Sequence, residues 1–199
     1  WLVSCPGCAM NSRQDEVARL VRDCVATVEP LTTQANRLYW EATTTGKAEK
    51  FEELKQVQLR IRRIQSDPND FTRIKACRES GTIRDARLAR QVDRLYYGYL
   101  QNQIDPALLE RTVARDAKVQ EAYNNHRGTI DGRKVTVSEI YTILTTEVDV
   151  GRRQAAWRAS KEVGNVIIGD FLELVRLRNQ AARQLGFDNY HTILVVANE

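Results

Sequence analysis

The sequence is poor in the residues that most active sites need. It has two histidines, His126 and His191, in 199 positions. No second histidine stands four residues from either, so there is no His-Glu-x-x-His zinc helix. There is no Gly-x-Ser-x-Gly nucleophile elbow and no glycine-rich phosphate loop. With 4 prolines and 10 glycines, the chain lacks the turn chemistry of a loop-rich all-β fold. It has no run of about 18 apolar residues, which excludes a membrane-spanning helix within it. A net charge of +4, from 30 basic and 26 acidic residues, is small. The two signs are interleaved, as in Arg84-Asp85-Ala86-Arg87, which reads as solvated helix faces rather than a nucleic-acid surface.

Cysteine is sparse as well: Cys5, Cys8, Cys24 and Cys77. Cys5-Pro6-Gly7-Cys8 has C-x-x-C spacing, but a zinc ribbon needs a second pair. A thioredoxin-like site needs a preceding strand, and none is expected there. Leu2-Val3-Ser4-Cys5 instead follows a bacterial lipobox, with Cys5 as the lipid-bearing residue and residues 1–11 as remnant signal and tether. That reading places the protein at the cell envelope, on a periplasmic or extracellular face, lipid-anchored to the membrane. Cys24 and Cys77 fall at apolar-periodic positions and read as buried thiols.

What the sequence does contain is helical periodicity. Val17, Leu20, Val21, Cys24, Val25, Val28 and Leu31 recur at steps of three and four. Pro30 is expected to kink or break this run, which resumes through Leu38-Tyr39-Trp40 and ends at Gly46. A second helix is expected from about Lys47 to Gln65, and a short third opened by Pro68. A fourth starts after Thr82–Asp85, and Asp105-Pro106 opens a fifth. Asp131-Gly132, between short apolar segments, predicts one β-hairpin near 129–137. Ser138 with Glu139 then opens another helix, and Asp149 the next. Gly164 is expected to interrupt that one, with a separate helix from about Asn165 to Leu185 and Gly186 just past its end. Phe187 to Val196 starts one more. Tyr39, Trp40 and Trp157 read as core, and Tyr97 as pointing away from the face of Tyr96 and Tyr99. His126 reads as a helix-end residue facing the dipole, and Arg176, Arg178 and Arg183 as a solvated face. By residue chemistry alone, no catalytic or metal-ligating residue can be assigned.

The stretch Gly151 to Gly164, GRRQAAWRASKEVG, and the stretch Leu172 to Tyr190, LELVRLRNQAARQLGFDNY, resemble segments of the angiotensin-converting-enzyme-like zinc metallopeptidases. Leu38-Tyr39-Trp40-Glu41-Ala42, Gln91 to Pro106, and the Asp131-Gly132 hairpin before Glu139-Ile140 agree in order. The resemblance implies an all-α lobe, the lid and channel wall of a clam-shell metallopeptidase. It implies Zn2+ bound by two His of a His-Glu-x-x-His helix and a downstream Glu, with short peptides as substrates. None of those ligands can be placed on this chain, and substrate-channel residues stay unassigned. Residues 12–199 are therefore expected to be the N-terminal helical part of a peptidase domain, truncated before its catalytic half and inactive alone. Its apolar face toward the missing lobe should lie open. The competing expectation is a non-catalytic helical interaction module tethered to a membrane.

Overall fold

In a computed structural model, residues 6–198 are described, with side chains from residue 14 to 197. The lipidation candidate Cys5 lies outside the described residues. Eight helices and one two-stranded sheet follow in chain order: α1 (Pro6–Thr45), α2 (Ala48–Gln65), α3 (Pro68–Glu79), α4 (Ala86–Leu100), α5 (Pro106–Asn125), β1 (Gly128–Ile130), β2 (Arg133–Val135), α6 (Val137–Thr146), α7 (Val150–Gln184) and α8 (Tyr190–Asn198). The fold is all-α with one small hairpin.

Packing runs as a chain of neighbours. α1 lies on α2, α2 on α5, and α5 on α7, while α3 and α4 pair and close on α1. The hairpin and α6 sit on the first half of α7, and α8 folds back on its end. Val17, Leu20, Val21 and Cys24 of α1 meet Ile74 of α3 and Leu88, Val92 and Tyr99 of α4 in one buried cluster. Ala35 and Leu38 meet Leu54 further along α1. Each contact is an apolar stripe at helical spacing finding another, the arrangement that hydrophobic burial favours.

Start signals act as their chemistry requires. Asp67, Asp85 and Asp105 each accept backbone N–H bonds at the first turn of α3, α4 and α5, satisfying donors that have no intrahelical partner. Asp131 (φ +50°) and Gly132 (φ +77°) form the left-handed pair that a tight hairpin turn needs.

The structure corrects the sequence at several points. The first helix begins at Pro6, well ahead of the apolar period that opens at Val17, and passes through Pro30 without ending. Pro30 is exposed and costs one backbone hydrogen bond, about 3 kcal/mol. Buried Leu31, Ala35 and Leu38 beyond it hold the helix together. Gly164 likewise does not interrupt α7; a glycine in a helix costs only about 1 kcal/mol, and packing on either side outweighs that. The cap of α6 is Thr136 rather than Ser138, in a reciprocal capping box with Glu139. Val137, expected in the strand, is already helical.

Candidate functional site

α7 is apolar on two sides. Ala156, Ala159, Leu174, Leu177 and Ala181 are buried, against the hairpin and α6 at one end and α5 at the other. The small residues set the spacing. A Cβ added at Gly128 would lie 2.7 Å from the Ala159 carbonyl oxygen, so strand and helix backbones are nearly in contact. On the other side, Trp157, Ile168, Phe171, Leu172 and Val175 are all exposed. Their spacing of three, four, seven and eleven keeps them within one stripe of the helix. Ala182, further along the same stripe, is fully buried where α8 returns. The stripe is thus covered at its end and open along its length.

Charges hold α7 in register on α5. Asp170 receives Arg115 and Lys118, the latter at 2.9 Å. The hydrogen bond from Lys118, helped by Arg115, holds its carboxyl below the usual range. Arg111 reaches Glu173 at 3.5 Å and Arg178 reaches Asp116 at 3.1 Å. Exposed pairs of this kind add little stability singly, but four along one seam fix orientation. Arg178 also lies over the Tyr190 ring, 5.1 Å from its centroid. Asn179 accepts the Tyr190 backbone N–H at 3.0 Å. Arg178 is therefore not a solvated residue, as the sequence suggested: it docks α8.

A polar notch lies where α2, the end of α4 and α5 meet. Asn102, nearly inaccessible to solvent, donates to the Gly98 carbonyl at 2.8 Å and to Gln65 at 3.2 Å. It accepts from Arg62 at 3.3 Å. Both its N–H donors and its amide oxygen have partners, as a buried amide requires, and the bonds to Gln65 and Arg62 join α2 to the end of α4.

The aromatic expectations are revised. Trp40 is 70% exposed, Trp157 56% and Tyr39 49%; none is core. Tyr96 and Tyr97 are in edge contact at 5.2 Å and share Arg78, which lies 4.4 Å from the first ring and 5.2 Å from the second. Asp93 takes the other side of Arg78 at 2.8 Å. Tyr96 packs at the edge of the core on Phe71, and Tyr99 is buried within it and hydrogen-bonded to Cys24. Burial pushes both hydroxyl and thiol up from their ordinary values. The sequence signal missed in α7 was that two apolar stripes, not one, run along it.

No group of three His, Cys, Asp or Glu among the described residues can hold a metal ion. His191 is exposed. His126 does terminate α5, but its Nε2 is buried without a hydrogen-bond partner.

α7 is thus a long helix with one apolar face covered and the other open. The family model described as angiotensin-converting enzyme, a peptidase family, matches residues 11–197, and the chain belongs to that family. No curated protein gave a match.

Proposed function

We propose that this chain forms one wall of the substrate channel in a zinc-dependent peptidase that hydrolyses short peptides in peptidyl-dipeptidase or oligopeptidase fashion. The open stripe of α7 carries the reading. Phe171, Leu172 and Val175 are exposed on a helix whose opposite side is already packed, as expected of a surface that meets another part of the same enzyme. Zinc, when bound, supplies an activated water and a polarised carbonyl. Its ligands and the general base come from residues outside this chain. What these residues contribute is shape: a stiff wall, locked by the α5–α7 ion pairs, that limits the channel to slender substrates. We further propose that Cys5 carries a lipid anchoring the enzyme at the outer face of a membrane, on the strength of Leu2-Val3-Ser4-Cys5.

The test compares the product of the full reading frame with residues 1–199 alone, using a blocked tripeptide with and without a zinc chelator. The full product should cleave it in a chelator-sensitive way, and the 199-residue chain should not. Zinc-dependent cleavage by the short chain, or none by the full product, would overturn the reading. In the second case the open face of α7 would belong to a binding module. Labelling with a fatty-acid analogue, lost in Cys5→Ser, tests the anchor.

A further inference from the structure

The polar notch between α2, the end of α4 and α5 opens onto a cavity of about 280 Å3, lined by Arg62, Gln65, Gly98, Asn102 and Asp116 among others. We propose that this cavity binds a small carboxylate whose remainder offers amide or hydroxyl groups, either a free acid or the last residue of a peptide. The inference stands apart from the peptidase reading, since it needs neither zinc nor a second lobe.

The hydrogen bonds of the notch are ordered by one backbone carbonyl. The Gly98 oxygen can only accept, so Asn102 turns its Nδ2 toward it, at 2.8 Å. The Asn102 Oδ1 is thereby left for Arg62, whose Nη1 donates at 3.3 Å. The second hydrogen of Nδ2 goes to Gln65 Oε1 at 3.2 Å. With that oxygen taken, Gln65 has only its Nε2 donors left to offer. A Cβ at Gly98 would lie 3.6 Å from this nitrogen, so Nε2 stands over a cavity residue that has no side chain to cover it. Among the described residues nothing accepts from Gln65 Nε2, nor from Nε or Nη2 of Arg62. These atoms are also open. Both residues are half-buried, and among described side chains that are not exposed only His126 has an unpartnered nitrogen or oxygen closed to solvent.

The cavity is therefore rich in donors and short of acceptors. Its one acid, Asp116, is already paired with Arg178 at 3.1 Å, and among the described residues no carboxylate pairs with Arg62. A guanidinium and an amide N–H that flank the same Asn102 side chain suit the two oxygens of a carboxylate, through charge-assisted bonds. The Asp116 charge opposes a dianion, which favours a carboxylate over a phosphate. Gln58 and Gln101 also line the cavity. Their carboxamides have no partner among the described residues and match amide or hydroxyl groups on the ligand. A cavity of roughly 150 Å3 admits benzene, so this one has room for an N-acylated amino acid.

Calorimetric titration of the full chain at low salt tests the site. N-acetylglycine should bind saturably, and the neutral N-acetylglycinamide about tenfold more weakly or less. Gln65→Glu is the decisive variant. Its Oε1 still accepts from Asn102, so the joint between α2 and α4 and the melting temperature should hold, while the free donor becomes a charged acceptor. It should weaken N-acetylglycine about tenfold. Arg62→Met should do the same, with the lost Asn102 bond read separately as a lower melting temperature. N-acetyl-triglycine separates the two sources. Binding equal to that of N-acetylglycine assigns a peptide-tail site, and binding of N-acetylglycine alone assigns a free-acid site. No saturable heat with either acid would overturn the proposal, as would equal binding of acid and amide, or undiminished binding to folded Gln65→Glu.

Discussion

The two ends of this molecule solve the problem of burial differently. Where α3 and α4 close on α1, large side chains converge from three helices, and Ile74 and Tyr99 are each only 1% exposed. Along α7 the buried contacts are mostly alanines, Ala156, Ala159, Ala181 and Ala182, while the larger Phe171 and Leu172 face out. Among the described residues, the first region places its bulk inside. The second buries Leu174 and Leu177 but leaves other large residues outside, and uses small residues to bring backbones close. A helix that leaves large apolar residues on an open side is one half of a contact, whereas the large residues of α3 and α4 are turned onto α1.

The sharpest way to break this comparison is to remove bulk from the closed end. Tyr99→Ala should destabilise by about 3–5 kcal/mol, through lost transfer free energy and a residual cavity. Urea unfolding followed by circular dichroism measures it. A loss under about 1 kcal/mol would mean that this end is not the self-sufficient one. The same site should respond to alkali. Burial raises both Cys24 and Tyr99, so each stays neutral in the fold after the unfolded chain has begun to ionise. Stability is then at its full value below the ordinary thiol pKa of about 8.5 and declines as pH rises past it.

The covered side of α7 is tested by Gly128→Ala. The new methyl would meet the Ala159 carbonyl oxygen at 2.7 Å, and neither backbone can move without disturbing the hairpin. Overpacking of this kind costs about 1–3 kcal/mol, read again in urea. The open side should answer in the opposite sense. Phe171→Ser with Leu172→Ser should change stability by less than about 0.5 kcal/mol, yet shift sedimentation toward monomer at high concentration. If the unmodified chain is already monomeric at every concentration, the open stripe is not adhesive and the half-contact view is wrong.

Much of this was legible in the sequence, and the rest was lost for identifiable reasons. Capping aspartates, Asp131-Gly132 and the apolar periods each act through a few neighbouring residues, so the sequence shows them directly. Pro30 and Gly164 were misjudged because a local penalty was weighed without the packing on both sides that overrides it. Trp157 was assigned to the core because a large ring in an apolar period is usually covered, and one helix cannot show which of two stripes finds a partner. His126 was placed at its helix end correctly, but the burial of its Nε2 depends on a hairpin and two other helices arriving at the same point. The site residues were therefore less legible than the fold, because they are defined by what does not pack against them.

The smallest expected effect concerns Asp170, in the seam between α5 and α7. Lys118 and Arg115 hold its carboxyl below the usual range. A depressed carboxyl contributes stability above its unfolded value and loses it as pH falls through the folded one. The contribution should thus be present at neutral pH and fade below about pH 4. Asp170 is open to water, so screening keeps the effect slight. Asp170→Asn should lower the melting temperature a little at pH 6, and by less as pH falls below about 4 toward the depressed native value. The difference should also shrink in high salt. An Asp170→Asn loss that persists unchanged at pH 3 would mean that the side chain acts through its shape and hydrogen bonds rather than its charge, and that α7 is held on α5 by packing alone.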